Sequence, residues 1–275
     1  MSEAEVLPTP AGPPSPSAGA HPVLELTDIC VRFGGITAVS EVSLSVPAGQ
    51  VCGLIGPNGA GKTTLFDVVS GVRRPQAGRV LLEGTDVSGA DPVKRSRLGV
   101  RRTFQRVQTY GWLTVEDNVL AATEWHGGGG GVVGDLVGWR GRRRRERQRR
   151  ELVDATLERC GLTSVRHDFA GSLPIGTARM VEFARATVEP PTLLLLDEPA
   201  SGLHAEEVDR LGQLIRDCRS DSGCSVLLVE HNAGFVMTHC DRVVVLNLGS
   251  TLADGTPDEV QGDPAVRSAY LGHVV

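Results

Sequence analysis

The stretch Gly56-Pro57-Asn58-Gly59-Ala60-Gly61-Lys62-Thr63-Thr64 constrains this chain more than any other. It matches the pattern G-x-x-x-x-G-K-[ST]. It lies between a short apolar run, Val51–Ile55, and a segment with helical character from about Lys62 to Ser70. The chemistry requires that setting. Glycines leave backbone N–H groups free to converge on phosphate oxygens, and a helix beginning at the end of the loop adds its positive dipole end. Gly56, Asn58, Gly59, Gly61 and Thr64 then belong to a phosphate cradle. Lys62 reaches the β- and γ-phosphates, and the Thr63 hydroxyl is placed for Mg²⁺. A glycine turn without a ligand is the plain alternative, and the strand before it and the helix after it count against that.

A second constellation lies far downstream. Leu193-Leu194-Leu195-Leu196 reads as a buried strand, closed by Asp197-Glu198-Pro199. Open parallel sheets present ligands at the carboxyl ends of their strands, so both carboxylates arrive at the edge that carries the phosphate loop. Asp197 is expected to hold Mg²⁺ through water, and Glu198 to polarise an attacking water. The roles separate because a metal-bound carboxylate is a poor base. An acidic pair that only caps the next helix is the alternative, and the phosphate loop upstream makes it the weaker one.

The rest of the chain supplies a frame. Val23–Phe33 and Val42–Val46 alternate apolar and polar residues as half-buried strands do. Arg79–Leu82, Val100–Gln105, Leu193–Leu196 and Ser225–Val229 read as strands, and Val243–Leu248 with Thr251–Ala253 as a terminal hairpin. Glu206–Cys218 and Ala233–Cys240 read as helices. From Leu113 to about Thr187 the pattern is mostly helical, broken by a flexible loop tip at Gly127–Gly131. Strands alternating with helices imply an α/β fold with a parallel sheet. Residues Met1 to about Pro22 are rich in Pro, Ala and Ser and are expected to be a disordered tail.

Composition excludes several functions. Net charge is −5 and only 4% of residues are aromatic, which argues against a nucleic-acid surface. The six cysteines are scattered without a CxxC pair, so a zinc site or disulfide frame is not expected. No segment approaches the roughly 18–20 apolar residues of a membrane span, and no basic start leads into an apolar run as in a secretory signal.

With both motifs in order, the chain from about Val23 onward resembles the ATP-binding cassette (ABC) ATPases. The resemblance implies a RecA-like P-loop NTPase core with an antiparallel β subdomain and an inserted helical subdomain at about 106–187. It implies ATP and Mg²⁺ as ligands and ATP hydrolysis as the reaction. It assigns adenine stacking to Phe33 in Val31-Arg32-Phe33-Gly34, and sensing of Mg²⁺ and the attacking water to Gln105 in Thr103-Phe104-Gln105. It assigns contact with the γ-phosphate to His231 in Val229-Glu230-His231. Taken singly, these three could be a core aromatic, a surface amide and a helix-start residue.

Arg32-Phe33-Gly34-Gly35, Arg102-Thr103-Phe104-Gln105 and the ending Gly255-Thr256-Pro257 through Ala269-Tyr270-Leu271-Gly272 are similar to the ATPases of branched-chain amino acid importers. That narrower resemblance implies a peripheral protein at the cytoplasmic face of the membrane. Its implied partners are transmembrane permease subunits docking near Gln105–Asn118, a second ATPase subunit in a homo- or heterodimer, and indirectly a solute-binding protein. The implied cargo is branched-chain amino acids, with urea, short amides or other small solutes left open. ABC ATPases of translation or DNA repair, and non-hydrolysing nucleotide-binding regulators, are the rival classes. The former usually carry two cassettes or a coiled-coil insertion, and the latter would not need Glu198 and His231.

Two segments depart from the family pattern. The signature L-S-G-G-Q is replaced by Leu173-Pro174-Ile175-Gly176-Thr177, so Pro174 stands where a serine hydroxyl would reach the γ-phosphate of a partner's ATP. Gly176 and the helix start can still face that phosphate. His204 stands where the family usually has aspartate. Finally, Arg142–Arg150 is broken only by Glu146 and Gln148. It is a solvated helix face or a contact for anionic lipid headgroups.

Overall fold

The structure is a computed structural model and describes residues 22–123 and 139–271. The expected tail up to residue 21, the loop tip at Gly127–Gly131, and the side chains of Arg140, Arg142 and Arg143 lie outside the described residues.

The chain opens with β1 (Leu24–Phe33), β2 (Ile36–Val46) and β3 (Val51–Ile55), then the glycine-rich loop and α1 (Lys62–Ser70). β4 (Ala77–Leu82), β5 (Thr85–Asp86), α2 (Pro92–Arg97) and β6 (Val100–Arg102) follow. Among the described residues three α-helices come next: α3 (Val115–Ala122), α4 (Trp139–Cys160) and α5 (Ile175–Thr187). The remainder alternates as β7 (Leu193–Asp197), α6 (Ala205–Ser222), β8 (Ser225–Val229), α7 (Ala233–His239), β9 (Arg242–Asn247) and β10 (Ser250–Gly255). It ends in α8 (Pro257–Gly262) and α9 (Pro264–Leu271).

Two sheets result. β2-β1-β4-β5 is antiparallel. The larger sheet has the order β10-β9-β3-β8-β7-β6, parallel except for β10. The continuous apolar runs of β3, β7 and β8 follow from burial on both faces. Leu193 and Leu195 face a core shared with the antiparallel sheet and with Leu65 and Phe66 of α1. Leu194 and Leu196 face the opposite core, against Val181, Leu214 and Phe235 of the outer helices. Each such side chain contributes about 1.5–3 kcal/mol on burial, so the strand that ends in Asp197 and Glu198 is among the firmest parts of the molecule.

α1 is fixed at its far end by Arg95, which is 1% exposed. Its guanidinium donates to Val68 O and Val69 O in the last turn of α1 and to Val87 O and Ala90 O of the segment before α2, tying the helix end to that segment. Burial pushes its pKa down to about 10.

Three expectations need correction. The strand expected over Val100–Gln105 stops at Arg102, because the loop beyond is claimed by side chains of α5. β2 begins at Ile36 rather than Val42; Glu41, with φ 51°, interrupts the alternation without ending the strand. The hairpin of β9 and β10 is not terminal: Thr256 accepts from Glu259 N, and Pro257 starts α8.

Candidate nucleotide site

Strand β3 delivers the loop and α1 lifts away from it. The N-cap of α1 is Gly61, at φ 102°, with no side chain to cap the first-turn amides. A Cβ on Gly56 would collide with the Leu246 carbonyl, so the loop's tight path at that point requires glycine. Lys62 is buried, and its Nζ donates to Gly56 O at 2.7 Å and Pro57 O at 3.0 Å. Burial lowers its pKa, partly offset by the nearby Glu198 and Asp197 carboxylates. A loop that binds a lysine with its own carbonyls has the ammonium stationed where phosphate oxygens would take those bonds over.

An open pocket of about 390 Å³ lies over this loop. Asn58 to Thr64 form its floor, Ala38 of β2 lines it, and Gln105, Glu198 and His231 complete it. The last three converge. Gln105 Nε2 donates to Glu198 Oε2 at 3.1 Å, and His231 Nε2 lies 3.0 Å from Glu198 Oε1. Glu198 holds this place with φ 48°, a backbone state that non-glycine residues rarely adopt. Such strain persists where surrounding structure enforces it; here Glu198 N donates to Val229 O at 2.9 Å.

Other expected residues sit apart. Asp197 is buried at the end of β7, and its Oδ2 accepts from Arg102 Nη2 at 3.1 Å. Burial raises its pKa, against the pull of Arg102. Phe33, 43% exposed at the end of β1, has the Arg73 guanidinium 4.3 Å from its ring centroid and does not line the pocket. Gly176 is buried in the first turn of α5, beneath the Glu207 carboxylate. Pro174 is the N-cap of that helix, where a missing N–H costs it nothing. His204 is the N-cap of α6.

Two holding devices escaped sequence reasoning. Glu230, 3% exposed, accepts from Ala200 N at 2.7 Å and His231 N at 3.0 Å, tying the loop after Glu198 to the one bearing His231. Its only signal was adjacency to His231. From α5, Arg179 donates to Gln105 O at 3.1 Å, Glu182 accepts from Gln108 N at 2.8 Å, and Arg185 donates to Gln108 O. Their spacing of three residues on one helix face was legible, but their target was not.

The donor set suits a hard cation. Thr63, Gln105 and Asp197 offer only oxygen to a metal. Among the described residues, no group of three or more His, Cys, Asp and Glu side chains forms a metal cage. Mg²⁺ commonly binds through one or two protein groups plus phosphates, and these residues fit that pattern.

Residues 39–201 match the family model described as ABC transporter. The chain belongs to the ABC transporter family. As an ABC ATPase it is the nucleotide-binding, ATP-hydrolysing kind of transporter subunit. Residues 250–275 match a second model, described as branched-chain amino acid ATP-binding cassette transporter. Among curated relatives, the high-affinity branched-chain amino acid transport ATP-binding protein BraF of Pseudomonas aeruginosa is 41% identical over 253 residues, covering 92% of this chain and 99% of BraF. LivG of Escherichia coli, of the same description, is 37% identical over equal shares. The lipopolysaccharide export ATP-binding protein LptB of Haemophilus influenzae is 32% identical, covering 91% of this chain and 97% of LptB. The ADP conformation of MJ1267, an ATP-binding cassette of an ABC transporter, superposes with a TM-score of 0.77 at 27% identity, covering 92% of this ABC ATPase and all of that chain. Among the described residues of this ABC ATPase, no helix is long and apolar enough to cross a membrane.

Proposed function

We propose that this chain hydrolyses Mg-ATP at the phosphate loop to power uptake of branched-chain amino acids or related small amides. One observation carries the catalytic half: Gln105 and His231 both hold the Glu198 carboxylate beside Lys62 and Thr63, in one pocket. Each Glu198 oxygen has a second lone pair for a water. That water attacks the γ-phosphorus in line, the bond to the bridging oxygen breaks, and ADP leaves. Glu198 orients the water and takes its proton, while Lys62 and His231 meet charge on the γ-phosphoryl oxygens. Mg²⁺, held through Thr63, Gln105 and Asp197, neutralises phosphate charge when bound. Phe33 stacks on adenine, which requires Arg73 to share or yield a ring face.

The cargo reading is supported by the second family model and by the identity to BraF and LivG exceeding that to the export protein LptB. On this reading a second ATPase subunit, identical or different, brings its signature segment over the ATP. Gly176 and the start of α5 supply the corresponding face here. Permease subunits dock near Gln105–Asn118, where Trp112 is 76% exposed. A solute-binding protein delivers cargo from the other side. The chain then lies peripherally at the cytoplasmic membrane face, with the exposed arginines of α4 available to anionic headgroups.

Phosphate release from the purified chain, compared with Glu198→Gln, tests the catalytic core. Loss of a positioned base lowers turnover by roughly 100-fold or more. Retained turnover would take Glu198 out of that role.

A further inference from the structure

Arg102 closes β6, and its guanidinium sits where three parts of the site meet. Nη1 donates to Asp67 Oδ1 at 2.8 Å and to Ser70 Oγ at 2.9 Å, both on α1. Nη2 donates to Asp197 Oδ2 at 3.1 Å, at the end of β7. Phe66 and Phe104 flank the group, their ring centroids 5.7 and 5.2 Å from Arg102 Cζ. The side chain is 11% exposed and that of Asp197 only 6%. A bond at such a place is little screened by water. Gln105, which holds Glu198, follows three residues later in the chain.

The bonding of Asp197 is asymmetric. One carboxylate oxygen is engaged by Arg102, and Oδ1 has no side-chain or backbone donor among the described residues. The contact is one N–H···O bond, but the guanidinium fork that makes it is rigid, planar and anchored at its other arm, so it fixes where Oδ2 sits. The same fork is anchored on α1, the helix that carries Lys62 and Thr63. Asp197 is thereby referenced to the phosphate loop across the sheet, although it does not itself line the pocket.

We propose that Arg102 is a positioning residue for the metal: it holds Asp197 by Oδ2, keeps Oδ1 free for the hydration shell of Mg²⁺, and locks that carboxylate in register with α1. The proposal rests on the reading that the pocket takes Mg-ATP. It predicts a sign that simple charge does not. Removing a nearby cation should, by Coulomb's law alone, strengthen the binding of another cation. Removing a positioning group weakens it, because groups that orient metal ligands typically contribute about 10- to 100-fold in affinity.

The experiment measures binding of fluorescent mant-ATP to the full-length protein as free Mg²⁺ is titrated, with wild type, Arg102→Met and Arg102→Lys. The expected result is a midpoint for Mg²⁺ raised about 10-fold or more in Arg102→Met, with binding in EDTA unchanged. Arg102→Lys should fall between, since an ammonium supplies charge without the fork. An unchanged or lowered midpoint in Arg102→Met overturns the proposal. Should that variant fail to fold by circular dichroism, Asp67→Asn loosens the α1 arm alone. A smaller rise then supports the proposal, and no rise overturns it. A wild-type protein that binds no ATP at all sinks the nucleotide reading itself, and ATP binding that ignores Mg²⁺ overturns Arg102's role alone.

Discussion

Two helices begin at functional segments of this molecule without a side-chain cap, and they are built differently. α1 starts after Gly61, and α5 starts after Pro174. Around α1 the constraint is backbone against backbone: a Cβ on Gly56 would run into Leu246 O, and one on Gly61 into Ala38 O. Around α5 the constraint is one side chain: the space beside Gly176 is filled by the end of Glu207. A backbone wall cannot yield, whereas Glu207 can turn away at the cost of the bond its Oε2 accepts from His204 N at 2.9 Å. The phosphate loop is therefore preorganised by the fold, while the signature segment is an adjustable surface. The proposed arrangement, in which one chain binds nucleotide and a second completes the site, would draw on that contrast.

The contrast breaks first at Gly56. Gly56→Ala is expected to abolish measurable ATPase activity and lower the thermal midpoint, because neither the loop nor β9 can move aside. A variant with normal turnover would show that the loop is softer than its contacts imply. Next in size is Arg95, which secures the far end of α1. Arg95→Met takes a donor from four carbonyls; Val68 O and Val87 O keep backbone donors, from Gly71 N and Ala90 N, while Val69 O and Ala90 O are left exposed to the loss. Urea unfolding should show a loss of about 3 kcal/mol, since each unsatisfied buried group costs roughly 1–3 kcal/mol and the site relaxes in part. By comparison the end of α5 relies on Arg159 reaching Thr187 O at 3.3 Å.

Smaller effects belong to the signature side. Pro174→Ser restores a hydroxyl worth about 0.5–1.5 kcal/mol as one hydrogen bond. ATP-driven dimerisation, followed by analytical ultracentrifugation with Glu198→Gln in the background, should tighten by roughly 2- to 12-fold. No change would mean that the position carries little. Smallest of all is the stability effect of Gly176→Ala. Its unfolding free energy should stay within about 1 kcal/mol of wild type, since the bond Glu207 gives up to His204 N is offset by alanine's better helix propensity, in contrast with Gly56→Ala. A large drop would mean that Glu207 is locked, and the comparison would fail.

Much of the parallel sheet was legible in the sequence because burial on both faces writes continuous apolar runs, as at Leu193–Leu196 and Ser225–Val229. The phosphate loop was legible because its glycines and lysine are contiguous. What stayed hidden depends on contacts distant along the chain. Nothing in the neighbourhood of Arg102 says that it will bridge Asp67 and Asp197, 35 and 95 residues away. Glu230 shows the same limit, since its partner Ala200 N comes from another strand end. Val100–Gln105 looked like one strand because Thr103 and Phe104 suit strands. Competition from Arg179 and Glu182 ended it early. The short helices α2, α8 and α9 are set by caps such as Asp91 and Thr256 more than by apolar period, and so carried a weak pattern.

Calorimetric titration of the purified chain with Mg-ATP, beside Lys62→Ala, bears most directly on the central claim. Saturable binding in the wild type, weakened roughly 10- to 100-fold when the ammonium and its charge-assisted bonds are removed, is the predicted result. Equal affinity in the two proteins, or none in the wild type, would contradict the assignment of the pocket.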